Sequence, residues 1–107
     1  MEFASLRCRL GALTTRIGGV GELDPMRVRL DRNLGKARHL LDVAGASCDV
    51  AKRGPAKRRL RMMRRRLVRV AKTLRKGGAP TITAPIVQTT QALATDTRAF
   101  AAVLSCP

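Results

Sequence analysis

Between Lys52 and Lys76 the chain carries thirteen Lys or Arg side chains and no carboxylate. The apolar residues among them, Leu60, Met63, Leu67, Val70 and Leu74, recur at steps of three and four, which sets them along one side of an α-helix. Such a helix must bury its stripe against other apolar surface, while its remaining circumference faces ions, solvent or an anionic partner. Residues 55 to 76 would span on the order of 33 Å, so the partners of this rod are long as well.

Three more stripes supply them. Phe3, Leu6, Leu10, Leu13 and Ile17 predict a helix over residues 3–17. Gly18-Gly19 follows, where glycine can close a helix in the left-handed conformation. Asp24-Pro25 reads as an N-cap followed by proline at the first helical position, and Leu30, Leu34, Ala37, Leu41, Ala44 and Cys48 carry that second helix over residues 25–50. Gly35 and Gly45 weaken it by ~1 kcal/mol each relative to Ala. Gly54-Pro55 opens the cationic helix and Gly77-Gly78 closes it. The two prolines between Ala79 and Pro85 read as a linker, after which Ile86, Thr90, Leu93, Thr97, Phe100 and Leu104 form the least apolar stripe, over residues 85–104.

Four helices joined by short connections predict an all-α fold, an antiparallel up-down-up-down four-helix bundle occupying residues 1–107 as one domain. The alternative is a three-helix core with the fourth helix loosely attached. Burial of Ile86, Leu93 and Phe100 separates the two.

In the bundle topology Cys8, Cys48 and Cys106 meet at one pole. Cys48 lies on an inward stripe, whereas Cys8 lies opposite the Leu6/Leu10 stripe, so facing favours a Cys48–Cys106 disulfide and leaves Cys8 free or bonded to another chain. Cys8 stays an alternative partner if the first helix is rotated, and three reduced thiols are the expectation for a cytosolic chain. Zinc needs a fourth ligand at close spacing, and none is present. His39, the single histidine, falls off the stripe of its helix and reads as a surface residue.

The net charge of +15 is unevenly distributed, because no carboxylate occurs between Asp49 and Asp96. A field of this sign attracts polyanions: nucleic acid, acidic glycan or anionic lipid headgroups. Arg58, Arg59, Arg61, Arg64, Arg65, Arg66, Arg69, Lys72 and Arg75 are the candidate contacts, suited to phosphates along a duplex backbone. Stacking on single-stranded bases has no support, since Trp and Tyr are absent and both Phe lie on core stripes. The plainer alternative is a solvated basic face, which an Arg excess over Lys of 17 to 5 also suits.

No pair of carboxylates shares an inward face, and no phosphate-binding glycine loop or serine nucleophile motif occurs, so a non-enzymatic role without cofactor or metal is expected. No apolar run is long enough to cross a bilayer. The segment 57–76 taken alone has the profile of an interfacial helix, which makes membrane-surface attachment a further reading.

Phe3-x-Ser5-Leu6-x-Cys8-Arg9-Leu10, then Leu34-x-Lys36-Ala37-x-x-Leu40-Leu41-x-x-Ala44 ending at Cys48, then the basic helix and the closing Cys106-Pro107, resembles C-terminal helical modules of bacterial secreted and surface proteins. The resemblance implies export, a disulfide and other domains in a larger chain, with no assigned catalytic activity. Periplasmic or extracellular placement follows if the chain is an excised module, and cytoplasmic placement if Met1 is the native start.

Overall fold

The computed structural model describes residues 2–107 and is all-α, with no strand among them. Its helices are α1 (Phe3–Gly18), α2 (Arg27–Asp49), α3 (Arg53–Gly77) and α4 (Pro80–Ala102), with a 3₁₀ turn at Gly21–Met26 leading into α2. They pack side by side into a body of 44 × 21 × 18 Å. Helix α3 lies along both α2 and α4, and α1 packs more lightly against the same two. The long axis is that of α3, since 25 residues at about 1.5 Å each nearly fill it.

Each stripe enters one core. Leu60, Met63, Leu67, Val70 and Leu74 are fully buried, as are Leu6 and Ile17 of α1 and Leu30, Ala37 and Leu41 of α2. Each leucine or isoleucine so placed contributes about 1.5–3 kcal/mol relative to an exposed one. The least apolar stripe is packed too: Ile86 is 2% and Leu93 1% exposed, and Thr90 and Thr97 are wholly buried. Their hydroxyls donate to the carbonyls of Ile86 and Leu93, at 2.8 and 2.7 Å, so two polar groups enter the core satisfied. Phe100 is only half-buried and meets Phe3 edge-on, with ring centroids 5.0 Å apart, at the end of the bundle rather than in its centre. Both rings fall on core stripes in the sequence, but their positions at the ends of α1 and α4 leave them partly uncovered.

Three boundary expectations are corrected. Residues 79–85 are not a linker, because α4 begins at Pro80. Pro80 occupies the first helical position, where no N–H is needed; Pro85 lies inside the helix, and its local cost is offset by neighbours such as Thr83, Ile86 and Val87, which are buried. Asp24 does not cap α2 and Pro25 sits in the 3₁₀ turn instead; the Asp24 carboxylate pairs with Arg27 at 3.1 Å. The glycines after α1 and α3 do not adopt a left-handed conformation either.

Other groups end those helices. The Arg27 guanidinium donates to the carbonyls of Ile17 and Val20, each at 2.8 Å, placing positive charge where the α1 dipole is negative. At the far end of α3, a Cβ on Gly77 would overlap the Met26 thioether, and one on Gly78 would overlap the Thr83 methyl. Close approach, not backbone freedom, requires those glycines. Ala51 instead takes the left-handed position after α2, at φ 62°. Its N–H reaches the Cys48 carbonyl at 3.0 Å and that of Lys52 reaches Ser47 at 2.8 Å, which is the double closure of a Schellman motif.

Candidate polyanion interface

Helix α3 starts without help from its own sequence. No side chain caps it, no acidic residue lies in its first turn, and Arg53 and Lys57 sit at the end where the helix dipole is already positive. Along its length Lys57–Arg61, Arg61–Arg65, Arg65–Arg69 and Lys72–Lys76 are like-charge neighbours four residues apart, each unfavourable by about 0.2–0.5 kcal/mol. The buried stripe holds the helix against this repulsion.

The carboxylates that form ion pairs, Asp24, Asp42 and Asp96, do so away from α3. The ion pairs among the described residues are Arg7–Asp42 at 3.1 Å, Arg9–Asp96 at 2.8 Å, Arg27–Asp24 at 3.1 Å and Arg38–Asp42 at 3.6 Å. None includes a residue of α3. Every one of them draws its arginine from α1 or α2, so the cations of α3 have no carboxylate partner among the described residues.

The nine cations named from the sequence do not form one row. Arg66, Arg69 and Lys72 line a groove between α3 and α2, together with Lys76, whereas Arg61, Arg64, Arg65 and Arg75 lie along the α4 side. Arg58 is exposed near the start of α3. Arg59 is half-buried, and its Nε has no hydrogen-bond partner among the described residues.

Three further cations complete the two flanks: Arg29 and Arg32 of α2 on one side and Arg98 of α4 on the other. The sequence does not mark these three as part of the surface, because they are isolated arginines on neighbouring helices, outside the densest charge run. A signal for the α2 flank was present, however. Asn33 lies three residues after Leu30 and four before Ala37, a polar residue beside Leu34 at the edge of the buried stripe. It is 6% exposed; its Nδ2 donates to the Arg29 carbonyl at 3.1 Å, and its Oδ1 accepts from Arg66 Nη1 at 3.3 Å. One amide thereby ties α2 backbone to an α3 guanidinium.

At the opposite pole Cys48 and Cys106 are joined as a disulfide, with Cα atoms 4.9 Å apart, and Cys8 is free and exposed. His39 is exposed. No helix among the described residues is long and apolar enough to cross a membrane. No protein-family model, curated protein or solved structure matches this chain.

Proposed function

We propose that the chain is a non-enzymatic helical module, an antiparallel up-down-up-down bundle whose α3 surface contacts polyanions. The topology is supported by its ends. Phe3 lies beside Phe100 and Gly45, and Cys48 beside Cys106, while Met26 meets Gly77 and Thr83 meets Gly78 at the other pole. The functional reading rests on one observation: α3 presents its cations without a single internal ion pair, although four pairs form on the other helices. Phosphate-rich polymers gain most from such a surface, because each neutralised phosphate releases a counterion.

Binding of duplex DNA or RNA to the native protein, followed across salt, tests the reading. A steep fall of affinity with salt is expected, together with loss of binding when Arg61, Arg64, Arg65 and Arg69 are changed to Gln together. An affinity indifferent to salt, or to that quadruple change, refutes phosphate neutralisation. Membrane attachment through the apolar face is disfavoured, since the stripe of α3 is fully buried and only its charged side could meet headgroups.

A second reading, an exported interaction module, is favoured by the Cys48–Cys106 bridge, because disulfides persist in oxidising compartments. It agrees with the resemblance to C-terminal modules of secreted bacterial proteins. Counting free thiols in denatured protein isolated from its source tests it: one is expected, and three would exclude it.

A further inference from the structure

We infer that the groove between α2 and α3 is a slot for a linear polyphosphate chain, with Arg29 and Arg32 on one wall and Arg66, Arg69, Lys72 and Lys76 on the other. The inference rests on the polyanion-contact reading and narrows it to one groove and one ligand class. The groove encloses about 480 Å³, and six of its ten lining residues are cationic and none acidic. Cations on both walls recur about once per helical turn, roughly every 5.4 Å, so they track a ligand that is itself linear and regularly charged.

Shape decides among polyanions. Packed helices stand about 8–10 Å apart, and the hollow between two of them admits a chain one phosphate wide. A nucleic-acid duplex is broader than that space and touches only its rims. Single-stranded nucleic acid would bring bases into a groove that offers no aromatic ring to stack on, as Phe3 and Phe100 pack together at the disulfide pole, and any guanidinium stacked on a base is lost to phosphate contact. A bare phosphate chain brings only anionic oxygens, and guanidinium groups take these two at a time.

The groove is also prepared for its ligand. Asn33, more than nine-tenths buried, holds Arg66 by one Nη1 hydrogen and leaves the rest of that guanidinium unengaged by any protein hydrogen bond among the described residues. Cost of ordering the side chain is thus partly met before binding. The hollows on the α4 flank lack this arrangement: their α4 wall brings one cation, Arg98, and one of them is lined also by Val68, Ala71 and Ala94.

The test compares two double variants of the full chain, each short of two charges: Arg29→Gln with Arg32→Gln in the groove wall, and Arg16→Gln with Arg38→Gln on α1 and the far flank of α2. Affinities for inorganic polyphosphate of defined length, duplex DNA and anionic phospholipid vesicles are measured across salt, and thermal melts verify folding. Each lost phosphate contact costs about threefold at moderate salt and lowers the salt slope by about one. The groove variant is therefore expected to lose about tenfold in polyphosphate affinity with a slope lower by about two, and the other variant to stay near the native value.

Equal losses in both variants mean that net charge alone governs binding and overturn the slot, while leaving polyanion contact standing. Tighter binding of duplex or vesicles than of polyphosphate, compared per phosphate, overturns it as well. A native protein that binds none of the three at low salt overturns the broader reading itself.

Discussion

Replacing Ala51 with glycine should stabilise the protein, although alanine is the better residue inside a helix. The reason is its φ of 62°, where a Cβ crowds the following carbonyl and an L-residue with a side chain loses about 1–2 kcal/mol. Glycine removes that crowding but adds about 0.4–1 kcal/mol of chain entropy to the unfolded state. The net gain is about 0.5–1 kcal/mol. With 107 residues and an unfolding entropy of about 2.1 cal/mol/K per residue, this raises Tm by roughly 2–5 °C. Thermal circular dichroism under non-reducing conditions reads the shift. Val50→Gly is the paired control, because Val50 is exposed with φ −105° and gains nothing from glycine, so that variant should melt lower. A decrease in Tm for Ala51→Gly, or the same shift in both variants, would refute the left-handed closure of α2.

Other perturbations separate the forces in the fold. Cys106→Ser opens a loop of 58 residues, worth about 4 kcal/mol in the chain-entropy account; denaturant melts should show that loss, and reduction of the native protein should reproduce it. Gly35→Ala, in a helix interior with no neighbour near its would-be Cβ, should gain about 1 kcal/mol, whereas Gly77→Ala should destabilise by forcing Met26 aside; equal responses would contradict the close approach. Leu67→Ala at the buried centre of α3 should cost about 2–5 kcal/mol, and a smaller loss in denaturant titration would argue against a shared core. Raising salt should increase Tm, since the like-charge neighbours of α3 find no internal counter-charge; a fall would show that the four ion pairs outweigh them.

How much of this was legible beforehand follows the range of the forces involved. Leu60, Met63, Leu67, Val70 and Leu74 announced their helix because burial of a stripe needs only local periodicity, and the same held for α1 and α2. Thr90 and Thr97 weakened the reading of α4 until their bonds to the preceding turn made them compatible with a core. Pro80 and Pro85 looked like a break because proline is costly inside a helix in isolation, and the packing that offsets the cost is tertiary. Arg27 is a clearer case. It terminates α1 from ten residues away, a bond that no local rule anticipates. The candidate interface divided along the same line: the charge run of α3 was plain, whereas Arg29, Arg32 and Arg98 joined it only once neighbouring helices were set beside it.

The Cys48–Cys106 bridge has a topological consequence. It closes a covalent ring that contains α3 and α4 entire, with α1 outside it. A protease cut within the ring, for example at the arginines of α3, leaves the pieces tethered until a reductant arrives, whereas a cut in residues 19–26 detaches α1 as a separate peptide held by packing alone. Fragment patterns on non-reducing and reducing gels would thus distinguish nicking of the charged helix from excision of the first, and in an oxidising milieu the cationic surface would survive a nick that would otherwise disperse it.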